Sequence, residues 1–412
     1  MKTTSILPCV LFLTVCFTAH AQVVPEATRQ GGNPTGGDKL QYALRYSETG
    51  EFSSVLSNSQ SSTLSGSIGI GNQNEHLPFS LNYAGGYTWT LTGVPYADGQ
   101  FHRLNLSQGI DSHKWKILLS DDVSYLPQSP TTGFSGIPGI GEPIGGTGPT
   151  PPSSQSILTV NTHAISNQAT GALTYDVNSA ISFSVGGGPG LLRFPNNDGL
   201  DTDSLSANAK FTRAFNTRNG LNASYQFSRF TYPGFTVAFE TNTAQVGYRR
   251  LWTRNVTTEI AAGPAWIGSS ATAAVPSSLT YAASASLSYM LRFASASMSY
   301  VRGINGGAGY LIGGEFDAVT GNLSKDFTPN LNVGLSGGFE RTTGLNSNGT
   351  TNATYGGAQG TWRIGQRIIV FGNYTATNQT SSSALPTNAL NQLLQVVGFG
   401  VGYSPRQSQR KR

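Results

Sequence analysis

From Leu40 to Tyr403 the chain alternates. Large apolar side chains fall on every second residue in Leu40, Tyr42, Leu44 and Tyr46, in Phe79, Leu81 and Tyr83, and in Trp115, Ile117 and Leu119. The same spacing recurs in Leu221, Ala223, Tyr225 and Phe227 and again through residues 281–289, 294–300 and 331–339. Between them sit Ser, Thr, Asn, Gln and Gly. Successive side chains of a strand point to opposite faces, so a repeat of two demands strands with one apolar and one polar face. A helical repeat is almost absent.

The connections alternate too. Short ones read GIDSHK (109–114), FNTRNG (215–220), LWTRN (251–255), MLRF (290–293), KDFTPN (325–330) and RIGQR (363–367). Longer ones fall near 48–60, 93–98, 126–155, 190–202, 231–235, 268–277, 303–309, 343–350 and 378–390. Short and long connections taking turns are what an up-and-down meander produces when its two ends face different compartments. One strand between each pair gives about 18 strands, with 16 as the other even count, and both chain ends on the short-turn side.

Composition narrows what wets the apolar face. Charged residues make up 11% of the chain, against about 25% in ordinary soluble domains. Aromatics at 10% argue against disorder. Past the N-terminal segment no run of 18 apolar residues occurs, so a transmembrane helix is not expected. The stretch QVVGFGVGYSP sets the problem most sharply, because Val397, Phe399, Val401 and Tyr403 alternate with Gly398, Gly400 and Gly402. In hydrocarbon every backbone N–H and C=O must be paired, so a spanning sheet must close on itself with an apolar outside and a wet inside.

Residues 1–21 carry Lys2, an apolar core from Ile6 to Phe17, and Ala19-His20-Ala21 before Gln22, the layout of a secretory signal peptide. A lipoprotein signal ending at Cys16 fits less well, because Val15 is bulky where that signal wants a small residue. Both cysteines, Cys9 and Cys16, lie in this segment, which leaves no disulfide framework for the rest. The net charge of +5 is local: without Lys2 and the tail residues Arg406, Arg410, Lys411 and Arg412, 20 basic residues face 20 acidic ones. A neutral body gives no reason to expect nucleic acid as a partner.

The last strand resembles the terminal strand of bacterial outer-membrane β-barrels, which ends in alternating apolar residues and a final aromatic, here Gly398-x-x-Val401-x-Tyr403. The resemblance covers the signal segment and the dyads of 39–403, and it is to porin-like barrels. It implies an all-β fold, a transmembrane up-and-down antiparallel β-barrel, placed in the bacterial outer membrane. Expected partners are outer-membrane lipid, lipopolysaccharide and the barrel-assembly machinery, and a homo-oligomer is compatible with it. Such barrels usually stop at the final aromatic, whereas SPRQSQRKR follows Tyr403 here. The expected organisation is a signal peptide (1–21), a periplasmic extension (22–38), the barrel (39–403) with its long loop (126–155), and a basic tail (404–412).

Charges in phase with the polar faces, Lys116, Asp122, Lys210, Glu240, Glu259, Glu315 and Asp317, are the candidates for lining a pore, where water solvates them. The loop 126–155 is rich in Pro and Gly, and Glu142 is its one charge. In general porins the third long loop narrows the channel; a flexible external loop is the other reading. GIGEPIGG within it lacks the strand, helix and Lys of a phosphate-binding loop. His76, His102, His113 and His163 show no metal spacing, and no nucleophile motif occurs, so neither cofactor nor catalysis is expected. Asp198, Asp201 and Asp203 miss the calcium-loop pattern and read as a solvated turn. Trp89 and Trp266 fall near long-loop ends, and Trp115, Trp252 and Trp362 near short turns, as two interfacial belts require. The function these features suggest is passive diffusion of small hydrophilic solutes. The alternative is a barrel serving as a polysaccharide export pore or a surface-binding scaffold.

Overall fold

The computed structural model describes residues 39–54, 58–72, 76–93, 98–128, 162–196, 199–235, 237–269, 275–307, 311–346, 349–382 and 391–404. Its strands are β1 (Lys39–Ser53), β2 (Ser59–Asn72), β3 (Phe79–Thr92), β4 (Gly99–Asp111), β5 (Trp115–Gln128) and β6 (Thr162–Asn178). Then come β7 (Ile181–Arg193), β8 (Thr202–Ala214), β9 (Asn219–Tyr232), β10 (Val237–Thr253), β11 (Val256–Ser269) and β12 (Ser278–Met290). The last six are β13 (Ala294–Asn305), β14 (Gly314–Thr328), β15 (Leu331–Gly344), β16 (Thr350–Ile364), β17 (Ile368–Ser381) and β18 (Gln392–Tyr403). The expected segments 1–21 and 22–38, loop residues 129–155 with Glu142, and the tail past Ser404 lie outside the described residues. Leu126–Gln128, read as the start of that loop, is instead paired in β5, Leu126 opposite Ala164 and Gln128 opposite Thr162.

Each strand pairs antiparallel with its chain neighbours, and the first meets the last. Leu44 lies opposite Tyr403 and Ser53 opposite Leu394, which closes an 18-stranded barrel. Among the described residues no helix is long and apolar enough to cross a membrane, so any crossing is made by strands. With strands about 4.8 Å apart and tilted about 40°, such a wall is roughly 35 Å across between backbones. Side chains cannot fill that width from one layer.

Register sorts the side chains. Val397, Phe399, Val401 and Tyr403 of β18 are exposed, and their cross-strand neighbours Val370 and Tyr374 on β17 and Leu44 and Tyr46 on β1 are exposed with them. Around the barrel the exposed large apolar groups keep to this face, from Leu64 and Tyr87 through Leu119, Val185 and Val246 to Leu335 and Trp362. The opposite face carries Thr49, Thr63, Ser65 and Thr88, which are buried because the concave side of a closed wall crowds its side chains. Keeping one Leu-sized group in water rather than buried costs about 1.5–3 kcal/mol. A belt of dozens is tolerable only if hydrocarbon wets it. The barrel is therefore a transmembrane one, apolar side out. A polar pair interrupts the outward face at mid-strand, where Asp121, between Leu106 and Ala169, accepts from Asn167 Nδ2 at 2.7 Å.

The glycines of β18 have a local reason. A Cβ on Gly400 would lie 2.5 Å from the Phe371 ring and 2.5 Å from the Tyr46 carbonyl oxygen, and one on Gly402 would lie 3.0 Å from Arg45 Cγ. Phe371 on β17 and Arg45 on β1 are the cross-strand partners of these two glycines, and the Arg45 guanidinium lies 6.0 Å from the Phe371 ring centroid. The two side chains thus lie across the glycine stripe at the seam. Gly400→Leu overpacks the seam and is expected to cost about 1–3 kcal/mol. The denaturant midpoint of the refolded protein, read by heat-modifiable gel migration, should fall, and an unchanged midpoint would contradict this packing.

Candidate functional site along the lumen

The inner wall is built from the polar half of each dyad. Hydroxyls bridge neighbouring strands at Ser120 and Thr170 (2.6 Å), Ser124 and Ser166 (2.6 Å), Thr174 and Ser184 (2.9 Å), and Ser299 and Thr320 (2.7 Å). Each bond satisfies a side chain while leaving lone pairs toward the interior. The wall therefore offers donors and acceptors at nearly every level.

Four of the predicted charges lie on this face. Asp122 accepts from Arg103 Nε (3.1 Å), Arg103 Nη2 (2.9 Å) and Asn105 (3.3 Å). Lys116 reaches Asp176 at 2.8 Å. Glu259 accepts from Asn222 at 3.1 Å. Lys210 lies opposite Ser184 and Ser224. Arg103, Asp176 and Asn222 join the inner wall beyond the charges expected from the sequence. Their signal was available, since each sits on the polar side of its dyad next to an inward charge.

Three predicted charges are placed on the other side. Glu240 shares its face with Val246 and Trp252, and it pairs with Arg229 at 3.6 Å. Asp317 shares its face with Val319 and Leu323, and Arg302 donates to it at 2.8 Å while resting 4.4 Å from the centroid of the exposed Tyr281 ring. Glu315 has the same parity, bonds Arg302, and also accepts from Thr280 at 2.7 Å, above the point where the β12–β13 ladder stops at Ala283 and Arg302. These positions correct the expectation that Glu240, Glu315 and Asp317 face the lumen. Near the long-loop rim the dyad relaxes, because both faces meet water, and there polarity no longer reports direction. Arginine on the adjacent strand makes the outward carboxylates tolerable.

At the long-loop end an apolar cluster sits on the inner side of β9–β11. Tyr232, Phe239, Ile267 and Val275 are buried, with Phe230, Leu200, Ile312 and Leu345 packed around them. The β13–β14 connection seals it. Tyr232 Oη donates to the Gly306 carbonyl at 3.1 Å, Gly307 N donates to Asn305 Oδ1 at 2.9 Å, and Leu345 N donates to the Gly313 carbonyl at 3.2 Å. Gly307 and Gly313 have φ of 75° and 72°, a region that favours glycine. A Cβ on Gly313 would lie 2.7 Å from the Phe239 ring. Part of one side of the mouth is thus occupied by a packed apolar cluster, a feature carried by long-range contacts that no local pattern announces.

Of the remaining candidates, two histidines and two aspartates are engaged by neighbouring groups. His102 bonds Tyr83 at 2.8 Å and His163 stacks on Tyr125 with centroids 5.5 Å apart, both on the outward face. Asp201 accepts from the Phe194 amide at 2.9 Å and Asp203 from Arg193 at 2.5 Å, while Asp198 lies outside the described residues. Among the described residues no cluster of His, Cys, Asp or Glu would hold a metal ion. The five tryptophans fall where the two belts require, with Trp115, Trp252 and Trp362 toward the short turns and Trp89 and Trp266 toward the long loops.

No protein-family model matches the chain, and no curated protein sequence does. Among solved structures, OccK2 (OpdF) of Pseudomonas aeruginosa is similar over 89% of this chain and 97% of that one, at 11% identity and a TM-score of 0.49. Acinetobacter baumannii OccAB4 is similar over 90% and 98%, at 8% identity and a TM-score of 0.48. The outer membrane protein OmpT of Vibrio cholerae, with loop L8 deleted, covers 89% and 99% at 8% identity and a TM-score of 0.39.

Because residues 22–412 contain no cysteine, single cysteines report direction cleanly. In a bilayer recording, Lys210→Cys and Glu259→Cys modified with a small charged thiol reagent should shift the reversal potential under a salt gradient. Glu240→Cys and Asp317→Cys should leave it unchanged. An equal shift at Glu240→Cys would refute the outward placement.

Proposed function

We propose that the protein is an outer-membrane porin-like channel through which small hydrophilic solutes diffuse passively. The observation that carries this reading is the inner wall: hydroxyls, amides and glycines around an 18-stranded closed sheet whose outside is apolar. Barrels of 16–18 strands leave an aqueous channel, whereas about 8 strands fill their interior with side chains. A solute that exchanges bulk water for a water-filled bore lined by hydroxyls loses little solvation, so it crosses without a chemical step. The reading assigns transport to the lumen and no catalysis to it.

Selectivity in such a channel comes from lumen charges. The inward pairs Arg103–Asp122 and Lys116–Asp176 are self-neutralising, which leaves a weak net field along that wall. Neutral and weakly charged solutes suit this bore best. Ions of either sign should pass, with a preference set by the balance of the inward charges.

Refolded protein in a planar bilayer should give discrete conductance steps that scale with salt concentration, and a silent membrane with correctly folded protein would count against a pore. Liposome swelling with neutral sugars of graded size should show a smooth cut-off, whereas a dedicated polysaccharide route would stay closed to all of them. Asp122→Asn leaves Arg103 without its carboxylate partner and should move the permeability ratio toward anions by about two-fold or less, because these groups are partly exposed and screened.

A further inference from the structure

The short-turn end of the outer surface carries a repeated arrangement that the channel reading does not use. On four successive hairpins a cation lies over an exposed aromatic ring. Arg213 is 5.5 Å from the Phe215 centroid between β8 and β9, and Arg250 is 3.9 Å from Trp252 between β10 and β11. Arg292 is 4.9 Å from Phe293 between β12 and β13, and Lys325 is 4.7 Å from Phe327 between β14 and β15. Arg213 lies opposite the outward Leu221, Arg250 is in phase with Val246 and Trp252, and Lys325 is in phase with Leu323. All four cations and all four rings are exposed. The arc spans β8 to β15 and faces away from the lumen.

Charge balance separates this rim from the opposite one. Toward the long loops the outward Arg193, Arg229 and Arg302 each have carboxylate partners, and Arg341, which has none within ion-pair distance among the described residues, still lies opposite Asp317. At the short-turn rim none of the four cations has a carboxylate within ion-pair distance among the described residues. The nearby acids are spent on the other face, with Asp176 held by Lys116 and Asp326 accepting from Asn332 at 2.8 Å. Exposed Arg218 and Arg254 in the same turns add to the positive potential. Interfacial rings place these cations at headgroup depth, because aromatic residues settle at the boundary between hydrocarbon and water. A cation held there without a protein counter-charge attracts anionic lipid.

We propose that this arc is a binding surface for anionic phospholipid headgroups in the leaflet that borders the short turns. The headgroup phosphodiester meets the guanidinium or ammonium, and the acyl chains run along the ring beneath it onto the apolar wall. The proposal rests on the membrane-spanning wall and not on conductance, so a folded barrel that conducts nothing leaves it standing.

The test uses full-length protein in phosphatidylcholine vesicles with trace spin-labelled phosphatidylglycerol or spin-labelled phosphatidylcholine, and electron spin resonance reads the fraction of label held at the protein. Wild type should prefer phosphatidylglycerol by about two-fold or more, and the preference should collapse in high salt. The variant R213Q/R250Q/R292Q/K325Q should bring the ratio close to one, while Arg193→Gln with Arg229→Gln at the opposite rim should leave it intact. Heat-modifiable migration reports folding. Should the fourfold variant fail to fold, the half-arc variants R213Q/R250Q and R292Q/K325Q should each lower the ratio, and R213K/R250K/R292K should keep it. A wild-type ratio near one, or a folded fourfold variant with the full preference, would overturn the proposal.

Discussion

Every feature of this barrel depends on a backbone that leaves no amide unpaired in hydrocarbon. An unpaired N–H or C=O there costs several kcal/mol, and an open sheet of this size would expose a full row along each edge. The pairing of β1 with β18 removes both edges at once. With closure in place, side chains are free of backbone duties and divide by solvent, apolar groups outward and hydroxyls and amides inward. The width of the bore follows from strand number rather than from any particular residue.

The inner face shows how a polar wall stays ordered without a core. Its hydroxyls pair across strands, as between Thr63 and Thr88 at 2.9 Å, and its charges are mostly held by neighbours of opposite sign or by amides. The outer face uses charge differently at its two ends. Arg193, Arg229 and Arg302 toward the long loops are paired with carboxylates, whereas among the described residues the arginines above the short-turn rings are not. The same residue type therefore serves as a cross-strand clamp at one rim and as an open cation at the other.

Much of the architecture was legible before any coordinates. The dyads placed the strands, the alternation of short and long connections gave their number, and the Val397–Tyr403 stretch marked the final strand with its outward face. The charges were only partly legible. Lys116, Asp122, Lys210 and Glu259 lie in strands whose apolar phase is strong beside them, so polarity located them on the inner wall. Glu240, Glu315 and Asp317 lie near the long-loop rim, where Asn242 and Arg302 also face outward and the phase must be carried from Val246 or Leu323 several residues away. Asp121 is illegible in the sequence for a related reason: a single polar residue on an apolar face carries no periodic signal, and its meaning lies in the bond from Asn167. The mouth cluster needed the fold itself, because Tyr232, Phe239 and Leu345 meet only after the wall has curved.

The inner edge of β18 changes character along its length. Gln392, Leu394 and Val396 fill it toward the long loops, and Gly398, Gly400 and Gly402 leave it bare toward the short turns. A slip of two residues at the junction of the chain ends would keep the greasy side outward, so the alternation alone does not forbid it. That slip would, however, set Val396 opposite Thr49, where Gly398 now leaves the inner face bare, or draw Gly398 opposite Glu51, where Val396 now fills it. The transition from full to empty works as a notch, giving the final strand one seating in which to complete the cylinder.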